Sequence, residues 1–238
     1  MNTGATAFRT YAYEFDLAGN RTQETVNGAP TVTSYTYNAA NQISSGGFSY
    51  DHNGNLTNDG SNAYTWDRAN RLLSMGGSSY KYDGLSNRIE QTVGANVTKY
   101  LLDVQPGLSV VLSETQGASV TRYVHSRRGI HAQEDPVGAW SWMAQDGLGS
   151  VRGVVDDALG VLWTGNPSPY GEYFSETGTR QSPYLFTGEY TDPITELVHL
   201  RARDYHPALG VFASLDPVEG LMQRPHPRTG RNSAAATG

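Results

Sequence analysis

The side chains most capable of chemistry lie together near the end of the chain, in the stretch RARDYHPALGVFASLDP at residues 201–217. It holds Arg201 and Arg203, the acids Asp204 and Asp216, and His206, and it ends in Asp-Pro. Carboxylates near arginine or histidine can carry out acid–base catalysis. The same residue types also form ion pairs and turns. The stretch is therefore either a catalytic centre or the last turn of a repetitive β-sheet.

Other catalytic and metal-binding patterns are missing from the sequence. The chain has no cysteine, which excludes disulfides, thiolate zinc sites and a cysteine nucleophile. Its six histidines show no metal-ligand spacing, and DGLGS at 146–150 lacks the Lys-Ser/Thr that completes a phosphate-binding loop. No Gly-x-Ser-x-Gly element occurs. The sequence predicts no metal site and no cofactor.

Charge and hydropathy narrow the possible partners and locations. The formal net charge is −6, which argues against nucleic acid as a partner. No apolar run approaches the roughly 20 residues of a membrane span. The first residues, MNTGATAFRTYAYEF, lack the basic and apolar regions of a signal peptide.

Composition predicts an all-β fold. Among 238 residues there are 27 glycines and 15 tyrosines, with many Asn, Thr and Ser. These residues favour turns and strands, and good helix formers are scarce. The length is sufficient for a substantial core.

A repeat runs through the first 90 residues. Each copy reads aromatic-x-aromatic-Asp/Asn, then turn residues, then an aliphatic or Arg/Gln. The copies are YAYEFDLAGNR (11–21), YTYNAANQI (35–43), YDHNGNL (50–56), YTWDRANRLL (64–73) and YKYDGLSNRI (80–89). The acid position is held by Asp16, Asn38, Asp51, Asp67 and Asp83. The clearest aromatic pairs are Tyr35 and Tyr37, Tyr64 and Trp66, and Tyr80 and Tyr82.

Each repeat is predicted to form one β-hairpin. Aromatics two residues apart point to the same face of a strand. The following Asp or Asn accepts a backbone N–H two residues on, which starts a turn. A glycine or asparagine then supplies a positive φ, at Gly19, Gly54, Asn20, Asn41, Asn55, Asn70 and Asn87. Arg21, Leu56, Leu72 or Ile89 then begins the returning strand. A lone hairpin is marginally stable, so the hairpins must pair into a long curved antiparallel sheet.

Three later segments extend the pattern and carry a family resemblance. They are WSWMAQDGLGSVRGVVDDALG (140–160), NPSPYGEYFSETG (166–178) and PYLFTGEYTDPITELVHLRARDYHPALGVFASLDP (183–217). With the repeats, these segments closely resemble the RHS/YD-repeat family, which includes bacterial polymorphic-toxin and insecticidal-toxin shells and the teneurins. The resemblance covers about residues 11–220.

The resemblance implies a β-strip that spirals into a hollow shell around a C-terminal effector. On this basis residues 1–100 are YD-repeat hairpins and 101–220 the RHS-associated core. Residues 221–238 include few apolar residues, so we expect them to form a disordered tail. The expected function is that of a C-terminal shell segment whose effector is absent from this chain. Expected partners are the remaining shell or an effector toxin. The expected location is secreted or at the cell surface, reached through a longer parent protein or by specialised secretion.

The resemblance also implies a self-cleaving aspartic protease in the core. Arg203 matches the core arginine of the family, and Asp216 matches the first catalytic aspartate. The sequence departs from the family pattern at Asp204, where an aromatic is usual, at His206, where Asp is usual, and at Val211, where Arg is usual.

The second catalytic aspartate has no counterpart after Asp216, where Glu219 is the sole acid. Asp192 and Asp204 are the two acids that could take its place in space. We therefore expect Arg203 and Asp216 to form an ion pair or turn cap that closes the last hairpin, with no enzymatic activity.

Two other functions stay open. One is an autoprotease that releases a C-terminal toxin. The other is a carbohydrate-binding or cell-surface-binding module, which requires the aromatic stripe of the repeats to be exposed.

Overall fold

The part of the chain that the computed structural model describes is built almost entirely from antiparallel strands. It covers residues 9–27, 29–30, 34–105, 108–126 and 129–216. These ranges contain 21 strands and one turn of 3-10 helix at Phe186–Gly188, and no helix in them is long and apolar enough to cross a membrane. The all-β prediction is confirmed. The predicted tail at 221–238 lies outside the described residues.

The largest element is a sheet of 12 strands that pair strictly in chain order, each antiparallel to the next. We call this sheet the strip. Its strands are β6 Tyr64–Trp66, β7 Leu72–Met75, β8 Ser78–Tyr82, β9 Arg88–Val93, β10 Asn96–Asp103, β11 Val110–Gln116, β12 Ser119–Ser126, β13 Gly129–Glu134, β14 Trp140–Gln145, β15 Val151–Asp156, β16 Val161–Pro167 and β17 Tyr173–Gly178. The boundary predicted at residue 100 falls inside β10.

Three smaller sheets lie outside the strip. The first contains β1 Tyr11–Phe15, β2 Arg21–Val26 and β3 Ala29–Pro30, and the second contains β4 Phe48–Tyr50 and β5 Leu56–Asp59. The third contains β18 Tyr190–Thr191, β19 Val198–Leu200, β20 Arg203–His206 and β21 Val211–Phe212. Consecutive hairpins are thus confirmed, but they merge into one continuous sheet only from β6 onward.

A carboxylate or amide oxygen organises each repeat turn, and Asp83 shows the pattern. We number positions from this acid, which is position 0. Its Oδ1 accepts the backbone N–H of positions +2 and +4, at 2.9 Å each, and its Oδ2 accepts the side chain of Asn87 at +4. These hydrogen bonds, that from Asn87 first, hold the pKa of Asp83 below its usual value.

The same oxygen contacts recur in eight turns of the described chain. Position 0 is Asp16, Asn38, Asp51, Asp67, Asp83, Asp135, Asp146 or Asp156. In the five repeats the positive φ falls at +3, on Gly19, Asn41, Gly54, Asn70 and Ser86. The positive φ expected at Asn20, Asn55 and Asn87 is therefore wrong. These asparagines occupy +4, where their amides donate to the acid.

The aromatic just before the acid connects each hairpin to the preceding one. Tyr82 Oη donates to the carbonyl of Leu72 at 2.8 Å, and Trp66 Nε1 donates to that of Leu56 at 2.7 Å. Tyr37 Oη donates to the carbonyl of Arg21 at 2.7 Å. Each acceptor lies at +5 of the preceding repeat. The acid therefore organises the turn of its own hairpin, and the aromatic before it sets the spacing to the preceding hairpin.

Residues 183–216, which we call the C-terminal segment, cover one face of the strip. The segment contacts β15 through the Val151 N–H and the Leu185 carbonyl at 2.9 Å, and it contacts β5 through the Leu56 N–H and the Ala213 carbonyl at 2.8 Å. Strip and segment residues share the two main core clusters. The first is Tyr100, Tyr123, Ile130, Val151, Val154, Trp163, Tyr184, Leu185 and Tyr190. The second is Leu56, Tyr64, Leu72, Met75, Tyr80, Leu197 and Ala213.

The two ends of the β-structure meet around this segment. Tyr13 of β1 packs edge-on against Tyr170, in the turn between β16 and β17, with ring centroids 5.0 Å apart. Arg21 of β2 lies 4.3 Å from the centre of the Tyr170 ring and donates to the Ala208 carbonyl at 2.9 Å. The β-structure therefore curls round so that the hairpin β1–β2, which lies outside the strip, touches both the last hairpin of the strip and the segment.

We predict that the turn depends on the acceptor oxygen rather than on the negative charge. Asp83→Ala removes Oδ1, the one acceptor of two backbone N–H groups, and should lower the free energy of unfolding by about 1–2 kcal/mol. Asp83→Asn keeps Oδ1, as Asn38 does in its own turn at 2.9 and 3.0 Å, and should lose less than half as much. Urea unfolding of the two variants measures the difference. Equal losses would show that charge is decisive.

Candidate functional site

Arg203 and Asp216 meet at the last hairpin of the chain. Arg203 Nη2 lies 3.1 Å from Asp216 Oδ2, and both side chains are partly exposed. The guanidinium also lies 3.6 Å from the centre of the Phe212 ring, on the neighbouring strand β21. Burial lowers the pKa of Arg203, and the charge of Asp216 opposes that change. The two residues predicted from the family pattern are thus in contact, in an arrangement that also suits a simple ion pair.

Asp204 faces the other side of β20 and forms a buried ion pair. Its two oxygens lie 2.9 and 3.1 Å from Arg88 Nη2, and His199 Nδ1 lies 3.0 Å from Oδ1. Burial alone would raise the pKa of Asp204, but the adjacent Arg88 and the His199 hydrogen bond lower it to about 2. Adjacent residues of a strand point to opposite faces, so Asp204 is directed away from Arg203.

Asp192 is fully buried and is also occupied by local contacts. Its Oδ2 accepts from Tyr80 Oη at 2.6 Å and from Gln91 Nε2 at 2.8 Å. Its Oδ1 accepts the backbone N–H groups of Ile194 and Thr195, which makes it the first residue of a turn. The two acids considered as partners for Asp216 therefore both hold the C-terminal segment against the strip.

Arg88 holds the C-terminal segment to the strip through Asp204, and it was not among the residues predicted from the sequence. It lies at +5 of the fifth repeat, a position held by Ile43, Leu56 and Leu72 in three of the other four repeats, all at most 2 % exposed, and by the buried Arg21 in the first. The sequence analysis predicted that Ile89 begins the returning strand, but Arg88 occupies the buried position and Ile89 is exposed. A charged residue at a buried apolar position requires a counter-charge, and this was the signal that could have identified it.

The side chains that surround Arg88 were not predicted from the sequence either. Arg88 lies 4.0 Å from the centre of the Tyr80 ring and 5.8 Å from that of Tyr82. Burial lowers the pKa of His199, and the neighbouring Arg88 lowers it further, which favours the neutral imidazole.

The repeat aromatics are turned inward. Tyr64 and Tyr80 are buried, and Tyr35, Tyr37, Trp66 and Tyr82 are half-buried. Burial, the first cause in each case, raises the pKa of Tyr82 to about 12 and that of Tyr80 further. These six residues do not form the exposed stripe on which the carbohydrate hypothesis depends.

We predict that the Arg88–Asp204 pair makes a large contribution to stability that only a paired replacement can restore. Asp204→Asn leaves Arg88 buried without its counter-charge and should cost about 3–5 kcal/mol. The double change Arg88→Met and Asp204→Leu should recover most of this loss, because apolar residues can replace a buried ion pair. Urea unfolding gives the values.

Glu90→Gln serves as the matched control. It breaks the Lys81–Glu90 pair, which joins the neighbouring strand β8 to β9 at 2.6 Å but has an exposed lysine. Exposed pairs contribute about 0–1 kcal/mol. If Asp204→Asn costs no more than this control, the buried pair does not have the role described.

Comparison with solved structures identifies the fold. A crystal structure of the TcdB2–TccC3–Cdc42 complex matches with a TM-score of 0.67 and 17 % identity, over 88 % of this chain and 12 % of that one. A Photorhabdus luminescens Tc holotoxin pore matches with a TM-score of 0.65 and 16 % identity, over 90 % of this chain and 12 % of that one.

Curated relatives match more closely in sequence. The tRNA3(Ser)-specific nuclease WapA of Bacillus spizizenii is 31 % identical over 227 residues, and the tRNA nuclease WapA of Bacillus subtilis is 30 % identical over 227 residues. Each alignment covers 87 % of this chain, which spans about a tenth of the length of these relatives. The Teneurin YD-shell family pattern matches residues 2–228. The chain belongs to the Teneurin YD-shell family, as its repeats and core segment indicated.

Proposed function

We propose that this chain forms the C-terminal end of a toxin-type RHS/YD shell, where it closes the wall around an enclosed effector. The observation that carries the proposal is the C-terminal segment, which is hydrogen-bonded both to β15 of the strip and to β5 of the small sheet β4–β5. The segment lies where the hairpin β1–β2 meets the last hairpin of the strip. When one face of a sheet is apolar, another part of the protein must cover that face, or it stays exposed to water. Here the segment that covers the face also closes the curve.

The relatives support separate shell and effector parts within a longer protein. WapA carries a tRNA nuclease name, whereas the fold of this chain resembles that of Tc toxin complexes. We assign the aligned tenth of WapA to a shell rather than to its nuclease. The partners of this chain would then be preceding shell repeats and an effector, and its location would be secreted or at the cell surface.

Electron microscopy of the natural gene product tests the shell assignment. An antibody against residues 80–216 would be used to isolate the product from its own cells. We expect a hollow particle that binds the antibody at one end, because this segment would close one end of the cavity. A free unit of 25.8 kDa with no larger shell attached would contradict the proposal.

Self-cleavage is the second candidate, and the contact between Arg203 and Asp216 is the observation that favours it. Aspartic proteases require two carboxylates whose pKa values are pushed apart. Asp192 and Asp204 both hold the segment instead, so we propose a structural role for the Arg203–Asp216 pair.

We predict that Asp216→Asn leaves the chain length unchanged. Because both partners are partly exposed, the free energy of unfolding should change by less than about 1 kcal/mol. Intact-mass spectrometry and urea unfolding of wild type and variant check both points. Two fragments in the wild type and one chain in the variant would instead establish an autoprotease.

A further inference from the structure

A cavity of about 320 Å³ lies between the strip and the start of the C-terminal segment. Its floor is formed by β11, β12 and β13, and its roof by residues 180–193. Pro136 and Pro193 line it and are exposed, so the cavity reaches the surface beside them. Neither the proposed shell function nor the Arg203–Asp216 pair uses this cavity.

Three buried oxygens that line the cavity have no hydrogen-bond partner among the described residues. They are Glu114 Oε1, Gln133 Oε1 and Thr191 Oγ1. Gln133 is only 4 % exposed and Thr191 only 5 %. The orientation of the Gln133 amide is fixed because its Nε2 donates to the Gln181 carbonyl, which leaves Oε1 as an acceptor. A buried acceptor without a donor costs about 1–3 kcal/mol.

The strand register places these groups on one face. Glu114 of β11 pairs with Thr121 of β12, and Tyr123, two residues along β12, pairs with Gln133 of β13. Directly opposed residues, and residues two apart on a strand, project to the same side of a sheet. Thr191 is in β18, which belongs to the roof. Acceptors therefore line both the floor and the roof of the cavity.

The charges and walls of the cavity favour a cation with an apolar stem. Glu114 and Asp135 line it, and the lining cation Arg180 is already paired with Glu176 at 2.6 Å and Glu196 at 2.9 Å. The remaining walls include the rings of Tyr123 and Tyr190, together with Pro136, Pro183 and Leu185. Tyrosine rings attract cations, and proline and leucine can cover a methylene chain.

A bare metal ion fits this arrangement less well. The described residues hold no group of three or more His, Cys, Asp or Glu side chains suited to a metal. Calcium takes six to eight oxygen ligands, and a single water occupies only about 30 Å³. An ammonium group has three donors and no acceptor, which matches three unpaired acceptors.

We propose that this cavity binds a primary ammonium group on a short aliphatic stem, supplied by a lysine side chain or by a small alkylamine. The ammonium group would donate to Glu114, Gln133 and Thr191, and its stem would lie against the prolines. Burial raises the pKa of Glu114, whose carboxyl lies beside the hydroxyls of Tyr123 and Tyr190. An ammonium charge would favour the ionised carboxylate.

Isothermal titration of the full chain tests the proposal with three probes at one ionic strength. They are n-butylammonium, a tetralysine peptide and the uncharged analogue n-butanol. We expect binding of the amine, the peptide or both, and none of n-butanol. Binding of the peptide alone would identify a protein side chain as the source, and binding of the amine alone would identify a small molecule.

Two variants locate the site. Glu114→Gln keeps the shape but removes the charge and should weaken binding about tenfold or more, the effect of losing a charge-assisted hydrogen bond. Its melting temperature without ligand should stay close to that of the wild type, because glutamine keeps the size of the side chain and an oxygen that can accept from the hydroxyls of Tyr123 and Tyr190. This separates lost binding from misfolding. Glu134→Gln is the control, since Glu134 pairs instead with the exposed Arg122 at 2.7 Å. It should bind like wild type.

Three results would overturn the proposal. The first is that neither amine nor peptide binds while a crystal structure shows ordered water on all three oxygens. The second is that calcium chloride binds but the amines do not. The third is that Glu114→Gln binds amines as well as wild type does. None of these results bears on whether the chain closes a shell.

Discussion

The structure depends on the covering of one apolar sheet face by the chain's own C-terminal segment. The strip presents Tyr80, Tyr100, Tyr123 and Trp163 on this face, and all four are buried in core clusters that they share with residues of the segment. Removing such surface from water is the main favourable contribution to folding. The long strip and the short segment therefore stabilise each other, and neither has a complete core alone.

Polar contacts specify where the segment lies on that face. Apolar packing is non-directional, so it fixes the amount of burial better than the register. Arg88 with Asp204, and Tyr80 with Asp192, connect residues 116 and 112 positions apart in the chain. Each buried polar group is costly unless it meets its partner, so a shifted segment would leave several of them unpaired.

Local features of this fold could be predicted from sequence, and long-range ones could not. The hairpins, the acid at each turn and the common face of the repeat aromatics follow from spacing within about ten residues, but that spacing does not tell whether the face is covered or exposed. Ser168 shows where the pattern weakens: its hydroxyl accepts only the +4 N–H, that of Glu172, at 3.1 Å, while the turn itself is kept. Nothing local reveals that Asp204 meets Arg88, or that Glu114 and Thr191 line one cavity, because these depend on how the segment crosses the strip.

In the second to fifth repeats tyrosine or tryptophan precedes the turn acid, whereas Phe15 precedes it in the first. The choice of tyrosine or tryptophan has a backbone cause. The strand register shifts just before the turn in several repeats, between Ser49 and Tyr50, Thr65 and Trp66, and Lys81 and Tyr82. Such bulges disturb the hydrogen-bond ladder and bend the strand.

The carbonyl at +5 lies beside this bulge and accepts the Tyr or Trp donor of the next repeat, as Leu56 and Leu72 do. Val151, at +5 of the Asp146 turn, also accepts a tyrosine hydroxyl, that of Tyr173 at 2.8 Å, although Tyr173 lies five residues after Ser168 and not before a turn acid. A phenylalanine would fill the space but would provide no donor. The repeat therefore bends the strip at each turn and satisfies the backbone there with the next aromatic, which explains why curvature and the aromatic-acid pair occur together.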